Sequence, residues 1–453
     1  MTNNTNIKIM KTNITLLIAF LLFGFNITFA QTSNEDCTNN MSLFAETVKA
    51  KKYEEALPYY RKAIKDCPKF NLSGLYKYGE DMFEGLLKAA TTDAKKVENI
   101  NELLMLWDSR MVNYASKSPK GKFEAKKAEL RYEYKELLGL TDEQLYNEFD
   151  SIYKVDLENF TSPKGLYIYF KMMVSLYDKG LKTPQQLFDK YDDIVDKIEK
   201  EVDENSTKLN QLIAKGEKIS SKDEKYKRFY TQTLAAFDKI TPSVDQELGD
   251  RANCEVLIPI YQRDYEANKS DGVWLQRAMN KLYAKGCKED PMFVKIVKQK
   301  NTLEPNADTA WYLYVITGEQ RYFDQSLSLQ TDPLKKAKLY RKLAGEFKSK
   351  GSNSKAREYY YKSMELNPAD ASGYLQVASM YAGSVKSCGN TNFEKRAIYW
   401  LAANEAAKAS SDTASKYRAL APSKPDIFKE DMSGKTIKIG CWIQRSITVP
   451  KIN

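Results

Sequence analysis

Apolar and small residues recur at three- and four-residue steps along most of the chain, a pattern typical of amphipathic helices. The clearest instance lies between residues 338 and 368, where two such runs flank the turn Gly351-Ser352-Asn353. Helices joined by so short a turn pack as an antiparallel pair, and small residues let their backbones approach closely. The pattern therefore predicts a helical hairpin that ends at Pro368.

The two helices of this hairpin carry a distinctive set of residues: Tyr340, Leu343, Ala344, Phe347, Ala356, Tyr360, Ser363 and Pro368. Their order is large, large, small and aromatic in the first helix, then Ala, aromatic, small and Pro. In this order the hairpin resembles a tetratricopeptide repeat (TPR), a unit of two helices that stacks in series. Ser363 stands where the family usually has Ala. The resemblance implies a superhelical array with a concave groove built mainly from first helices.

Further copies of the pattern flank this repeat. A second copy follows at once, with a turn lengthened by residues 383–390; its first-helix residues are Tyr374, Val377, Ala378 and Tyr381. Near the N-terminus the second-helix spacing recurs in Ala56, Tyr60, Ala63 and Pro68. Two more hairpins are expected between residues 251 and 330, where the consensus is weaker. The predicted fold is therefore all-α, a TPR-like α-solenoid of antiparallel helical hairpins.

The middle of the chain is predicted to be helical without the consensus. A long helix opens at Thr183-Pro184 and carries apolar residues at helical spacing. We expect a break near Glu204-Asn205-Ser206 and an end at Ala214. This helix either lies against its neighbours or forms a two-helix arm, and degenerate hairpins are the simplest account of the region.

The sequence pattern near the C-terminus is β-rich and no longer helical. Residues 436–443 and 446–449 are short and β-rich, which predicts a small hairpin or extended tail.

The chain thus divides into five predicted segments: residues 1–30 as a signal peptide, 31–69 as an N-terminal hairpin, 70–250 as a degenerate helical region, 251–410 as a C-terminal TPR array and 411–453 as a tail.

Six cysteines follow the predicted signal, and fifteen pairings are possible. Cys37 and Cys67 bracket about one helical hairpin, and so do Cys254 and Cys287. The start of the first helix and the end of the second lie side by side in such a hairpin, which favours these two pairs. The remaining pair, Cys388 and Cys441, would attach the tail to the last hairpin. A thiolate metal site is the alternative, but the chain has no CxxC motif.

The N-terminus predicts export. Lys8 and Lys11 precede the apolar run 14–25, and Thr28-Phe29-Ala30 supplies a small-residue cleavage site before Gln31. Translation starts at Met1 or at Met10, and no later stretch is apolar enough to span a membrane. We therefore expect a periplasmic or secreted protein that is not membrane-spanning.

The chain contains no histidine. This excludes a Ser-His-Asp triad, a Cys-His dyad, a His-ligated metal and a histidine pH switch. Phosphate-loop, nucleophile-elbow, zinc and calcium motifs are also missing from the sequence. We therefore expect no catalytic residues, no cofactor and no metal, and the protein is predicted not to be an enzyme.

Two charged clusters keep other interpretations open. Asp81, Glu84 and Asp108 lie near Trp107 and could be proposed as glycosidase carboxylates, although a solvated helix face explains them more simply. The formal net charge is +10, and the densest basic stretch is 117–127. That stretch is either a solvated loop entering a helix or a site for an anionic glycan or lipid headgroup. Nucleic acid is not an expected partner of an exported protein.

The leading hypothesis is a non-enzymatic scaffold or adaptor that binds a protein or peptide partner of the cell envelope through the concave groove. Polar first-helix positions between the packing residues are the candidate groove residues: Arg341, Lys342, Glu346, Gln376 and Ser379. The alternative is a glycan-binding protein of nutrient uptake, with an anionic glycan as a candidate ligand. A glycoside-cleaving enzyme on a helical scaffold is a third class.

Overall fold

The computed structural model describes residues 34–216 and 219–452. The described chain is helical apart from one short two-stranded sheet near the C-terminus, which confirms the predicted all-α solenoid class. It forms two compact units, residues 34–141 with Ser151–Phe160, and Asp142–Asp150 with residues 161–452. The boundary between these units falls inside the predicted 70–250 region. The predicted signal peptide, residues 1–30, lies outside the described residues.

The first unit opens with the predicted N-terminal hairpin. Its helices are α1 (Asn34–Lys49), α2 (Tyr53–Asp66), α3 (Tyr78–Ala89), α4 (Asp93–Asn113) and α5 (Lys120–Glu133), and α6 (Asp142–Val155) is divided between the units. Ala56 and Ala63 are fully buried and Tyr60 nearly so, and the Tyr60 ring meets the edge of Phe83 at 5.0 Å. The small residues thus bring α2 close to α1, while Tyr60 extends the packing to α3.

The second unit begins with three helices that carry no repeat consensus: α7 (Pro163–Asp178), α8 (Pro184–Ile213) and α9 (Ser221–Leu248). Thr183 caps α8 as predicted, in a capping box with Gln186. The predicted break near Glu204-Asn205-Ser206 is wrong, since α8 is continuous to Ile213. Asn205 donates to the Glu201 carbonyl oxygen at 2.7 Å and Ser206 is buried, so packing outweighs the low helix propensity of both residues.

The remaining helices form what we call the C-terminal array, α10–α18. They are α10 (Cys254–Asn268), α11 (Gly272–Ala284), α12 (Pro291–Leu303), α13 (Ala307–Thr317), α14 (Gln320–Leu329), α15 (Pro333–Ser349), α16 (Asn353–Leu366), α17 (Ser372–Gly383) and α18 (Asn392–Ala406). Adjacent helices pack as pairs, most closely α15 with α16, α17 with α18 and α13 with α14. The array is followed by α19 (Ser411–Leu420) and α20 (Lys424–Lys429).

The predicted packing residues of α15–α18 lie in the core. Leu343, Ala344, Ala356, Tyr360, Val377, Ala378 and Tyr381 are all buried, and Phe347 packs against them. Tyr340 stacks on Tyr359, with ring centroids 5.9 Å apart. Tyr374 lies 6.5 Å from Tyr361, ring centroid to ring centroid. The hairpin geometry that the spacing predicted is therefore present, whereas membership of the TPR family remains a resemblance.

All three predicted disulfides are present, with Cα–Cα distances of 6.0, 5.5 and 5.8 Å for Cys37–Cys67, Cys254–Cys287 and Cys388–Cys441. The first two join the start of one helix to the end of the next. The third joins the α17–α18 turn to the tail. Such bonds persist in oxidising compartments, which fits a protein that works outside the cytoplasm.

The C-terminal tail covers the end of the array. Strands β1 (Thr436–Ile439) and β2 (Arg445–Thr448) pair antiparallel, as the β-rich pattern predicted. The inward residues of the hairpin join the same core as Val377 and Tyr381; they are Ile437, Ile439, Ile443, Ile447 and Val449. Arg357 of α16 donates to the carbonyl oxygen of Ile443 at 2.7 Å. The hairpin therefore shields apolar surface that the last repeat of an array would otherwise expose.

Ser363, which stands where a TPR usually has Ala, forms a hydrogen bond between the two helices of its hairpin. Its buried hydroxyl donates to the carbonyl oxygen of Ala337 in α15 at 2.8 Å. We expect Ser363→Ala to lower the free energy of unfolding by about 1 kcal/mol, because one buried hydrogen bond is lost while the small volume is kept. Urea denaturation followed by circular dichroism measures this, with exposed Ser354→Ala as the control. A variant as stable as the wild type would show that the hydrogen bond contributes nothing.

Candidate functional site

Helix α8 lies against the array rather than leaving the array's first helices open. Four of its carboxylates form ion pairs with array residues. Asp192 pairs with Lys281 of α11 at 2.9 Å. Arg277 of α11 pairs with Asp196 at 2.7 Å and with Asp193 at 3.3 Å. Asp203 pairs with Lys338 of α15 at 3.0 Å. The array thus presents cations to a helix of the same chain.

The spacing of the α8 carboxylates explains this contact. Asp192, Asp196, Glu199 and Asp203 are separated by four, three and four residues, so they lie on one helical face. The apolar residues that predicted the helix lie beside this face, and Leu187, Ile194 and Ile198 are buried. The acidic face was not predicted, although its spacing is visible in the sequence.

A cleft remains between α8, α9 and the array, which we call the central cleft. It consists of two adjoining cavities of about 540 and about 320 Å³. Both cavities are lined by Glu199, Asp203, Thr241 and Lys338. Volumes of this size are typical of sites that bind small ligands. The larger cavity reaches α11, α13 and α15, and the smaller one reaches the α16–α17 turn.

Lys342 differs from the other basic residues on the wall of the larger cavity. It is half-buried, and its Nζ lies 5.8 Å from the centre of the Tyr312 ring. Burial lowers its pKa, and the charges of Asp308 and Glu199 only partly oppose this. Across residues 34–216 and 219–452, no carboxylate lies within ion-pair distance of Lys342. The array therefore holds a partly desolvated cation that no carboxylate of the described residues pairs with directly.

Aromatic and amide side chains form the wall beside Lys342. The rings of Tyr283 and Tyr312 lie 4.9 Å apart, and the Tyr312 hydroxyl donates to Asn280 Oδ1 at 2.8 Å. The Tyr283 hydroxyl lies 3.4 Å from Glu346 Oε1. Burial raises the pKa of Tyr283 to about 12, so its hydroxyl stays protonated at neutral pH. These contacts hold the side chains of the wall in place, but none of them gives the Lys342 ammonium group a hydrogen-bond or ion-pair partner.

The five predicted groove residues have different environments. Lys342 lines the larger cavity, and Arg341 lines the smaller one, where it pairs with Asp370. Glu346 accepts from Tyr283, and Gln376 accepts from Lys348 at 2.8 Å. Ser379 is exposed. The structure thus brings Arg341 and Lys342 to adjoining cavities, whereas Glu346, Gln376 and Ser379 line neither one.

The other charged candidates lie in the first unit and are not gathered into one site. Asp108 pairs with Lys127 at 2.5 Å, whereas Asp81 and Glu84 line an open hollow of about 680 Å³. In the basic stretch 117–127, Lys127 is buried. Lys126 lies 4.8 Å from the centre of the Trp107 ring and pairs with Glu80. Two lysines of the stretch are therefore engaged within the fold rather than available to a ligand.

Metal binding requires a cluster of ligand side chains, and membrane insertion requires a long apolar helix. Within the described residues, no group of three or more carboxylates and cysteines is arranged to hold a metal ion. No helix among those residues combines the length and apolar character needed to cross a bilayer.

Compared with known proteins, the chain matches no family model and no curated protein.

Proposed function

We propose that this protein is a non-enzymatic adaptor of the cell envelope that holds a carboxylate-bearing segment of another exported protein in the central cleft. Lys342 is the observation that carries the proposal. An ammonium group that is partly withdrawn from water without a counter-ion costs free energy, and a bound carboxylate would lower that cost. Three other cations of the cleft already have carboxylate partners on α8: Arg277, Lys281 and Lys338. A carboxylate of the bound segment would therefore gain the most interaction free energy beside Lys342.

The nature of the cleft also favours a peptide segment. Its wall combines cations and carboxylates with Asn280, Gln276 and Gln330, which suit a peptide backbone and its polar side chains. An acidic helix already lies on this face of the array, which supports recognition of acidic chain segments there. Since α8 covers part of the face, the partner's segment is short and enters beside α8. Export through the predicted signal, residues 1–30, is part of this proposal.

A binding measurement tests the proposal. The probe is a fluorescent pool of short peptides rich in Asp and Glu, titrated with the oxidised full chain and followed by fluorescence anisotropy. We expect saturable binding that Lys342→Met weakens by about tenfold or more, because hydrogen bonds to charged groups contribute roughly 1.5–3 kcal/mol. Lys350→Met, at an exposed position after α15, is the matched control and keeps the wild-type affinity. Equal affinities of the two variants would contradict the proposal.

The glycan alternative is supported by the paired rings of Tyr283 and Tyr312 beside Asn280. Tyrosine rings with amide and hydroxyl groups form walls that also suit sugars, and Lys342 would select a sugar acid. Titration with an oligogalacturonate and with its neutral methyl ester separates the two functions. Binding of the oligogalacturonate alone, with the same dependence on Lys342, would replace the peptide function by the glycan function.

A further inference from the structure

The first half of α9 carries a solvent-exposed aromatic face that no part of the central cleft uses. From Ser221 to Thr233 none of the residues is buried, and Leu234 is the first buried residue of the helix. Tyr226 is 46% exposed and Phe229 is 52% exposed. Large rings on a helical face without a partner identify a candidate interaction surface.

The rings of this face form one group. Tyr226 and Tyr230 are stacked with centroids 6.2 Å apart, and Phe229 meets Tyr230 edge-on at 5.4 Å. Their spacing of three and four residues places them on adjacent turns of one side of α9. Helix α9 as a whole packs on α8 and on α7. The exposed parts of Tyr226 and Phe229 therefore have no apolar cover from residues 34–216 or 219–452.

Positive charge surrounds the rings. The segment 221–233 contains four basic residues and two acidic ones; the basic residues are Lys222, Lys225, Lys227 and Arg228. Lys222 Nζ lies 6.0 Å from the centre of the Tyr226 ring. One of the two acids, Asp223, is already paired with Lys215 at 3.0 Å. The face therefore offers aromatic rings and a net positive charge together.

We propose that this face, defined by Lys222, Lys225, Tyr226, Arg228, Phe229 and Tyr230, docks on an anionic lipid surface. Tyr and Phe rings insert at the headgroup level of a bilayer, while Lys and Arg beside them attract anionic headgroups. A lipid surface needs no shape-matched pocket, which suits a convex helical face. Docking here leaves the central cleft available, so the two sites act independently.

Vesicle co-sedimentation of the oxidised full chain tests this. We expect binding to phosphatidylcholine vesicles that contain about one-third phosphatidylglycerol, weaker binding to pure phosphatidylcholine, and a loss of binding as salt is raised. Tyr226→Ser combined with Phe229→Ser lowers the partition coefficient by about tenfold, since two rings no longer enter the interface. Lys225→Gln combined with Arg228→Gln removes the preference for the anionic vesicles.

The control is Phe428→Ser on α20, where an equally apolar ring is 79% exposed away from the basic cluster. It is expected to bind vesicles as the wild type does. Circular dichroism confirms that each variant is folded, and unchanged binding of the acidic peptide pool shows that the central cleft is intact. Absence of binding to anionic vesicles overturns the inference, and so does equal binding by the Tyr226→Ser/Phe229→Ser variant. Binding of an acidic protein instead of vesicles overturns it in favour of a protein partner.

Discussion

Replacing Lys281 with Ala is expected to lower the free energy of unfolding by about 3–5 kcal/mol, far more than the loss of an exposed ion pair would cost. Lys281 is 4% exposed, and its Nζ donates to Asp192 Oδ2 at 2.9 Å. Without it, the Asp192 carboxylate stays in a place shielded from water without its ion-pair partner, and Arg277 is left as the cation that acts on it. Urea denaturation at neutral pH, followed by circular dichroism, measures the loss.

The pH dependence of this loss identifies its cause. Burial already raises the pKa of Asp192 to about 6, and Lys281 opposes that rise. In Lys281→Ala the pKa rises further, so the native state binds a proton that the unfolded chain, with a pKa near 3.8, does not hold. Stability from this group is present at low pH and is lost as pH rises through the native pKa. The penalty of Lys281→Ala should therefore be larger at pH 8 than at pH 5.

A double variant separates charge from packing. Lys281→Met combined with Asp192→Leu removes both charges and keeps most of the volume, and we expect it to recover most of the lost stability. Lys269→Ala removes an exposed cation from a pair with Glu266 and should change the stability far less than Lys281→Ala does. If the double variant were as unstable as Lys281→Ala, the charge of Asp192 would not be the cause.

The contacts within a hairpin could be predicted because their determinants are local. Ala344, Ala356 and Tyr360 lie within one repeat, and helical spacing alone decides which of their faces meet. The same holds for Cys254 and Cys287, since the ends of an antiparallel pair lie side by side. Ser363 was recognised as a departure, but its acceptor, the Ala337 carbonyl oxygen, depends on how α15 and α16 are packed in three dimensions.

The position of α8 could not be predicted in the same way. Its apolar spacing predicted a helix, but that spacing does not state which surface the helix covers. Arg277 and Asp196 are 81 residues apart in sequence, and many other pairs of opposite charge are possible at such separations. The predicted open groove over Arg341 and Lys342 therefore left out the helix that lies beside them. What remains of that groove is the central cleft, whose volume depends on how α8, α9 and several helices of the array are placed together.

Replacing Lys342 with Met is expected to raise the free energy of unfolding by about 1 kcal/mol in the absence of ligand, although most substitutions lower it. Met keeps the length of the side chain and removes an ammonium group that has lost water without gaining a carboxylate. Thermal and urea denaturation of the ligand-free chain measure the gain, with Lys350→Met as the exposed control.

The gain should depend on pH in a defined direction. Burial lowers the pKa of Lys342 below its usual 10.5, so between the two values the unfolded chain binds a proton that the native state does not. The stability of the wild type therefore rises as pH increases through that window, and the advantage of Lys342→Met shrinks. A destabilised Lys342→Met would show that the ammonium group is satisfied within the fold. If Lys342→Met is instead more stable and no longer binds the acidic peptide probe, Lys342 serves binding and lowers the stability of the fold.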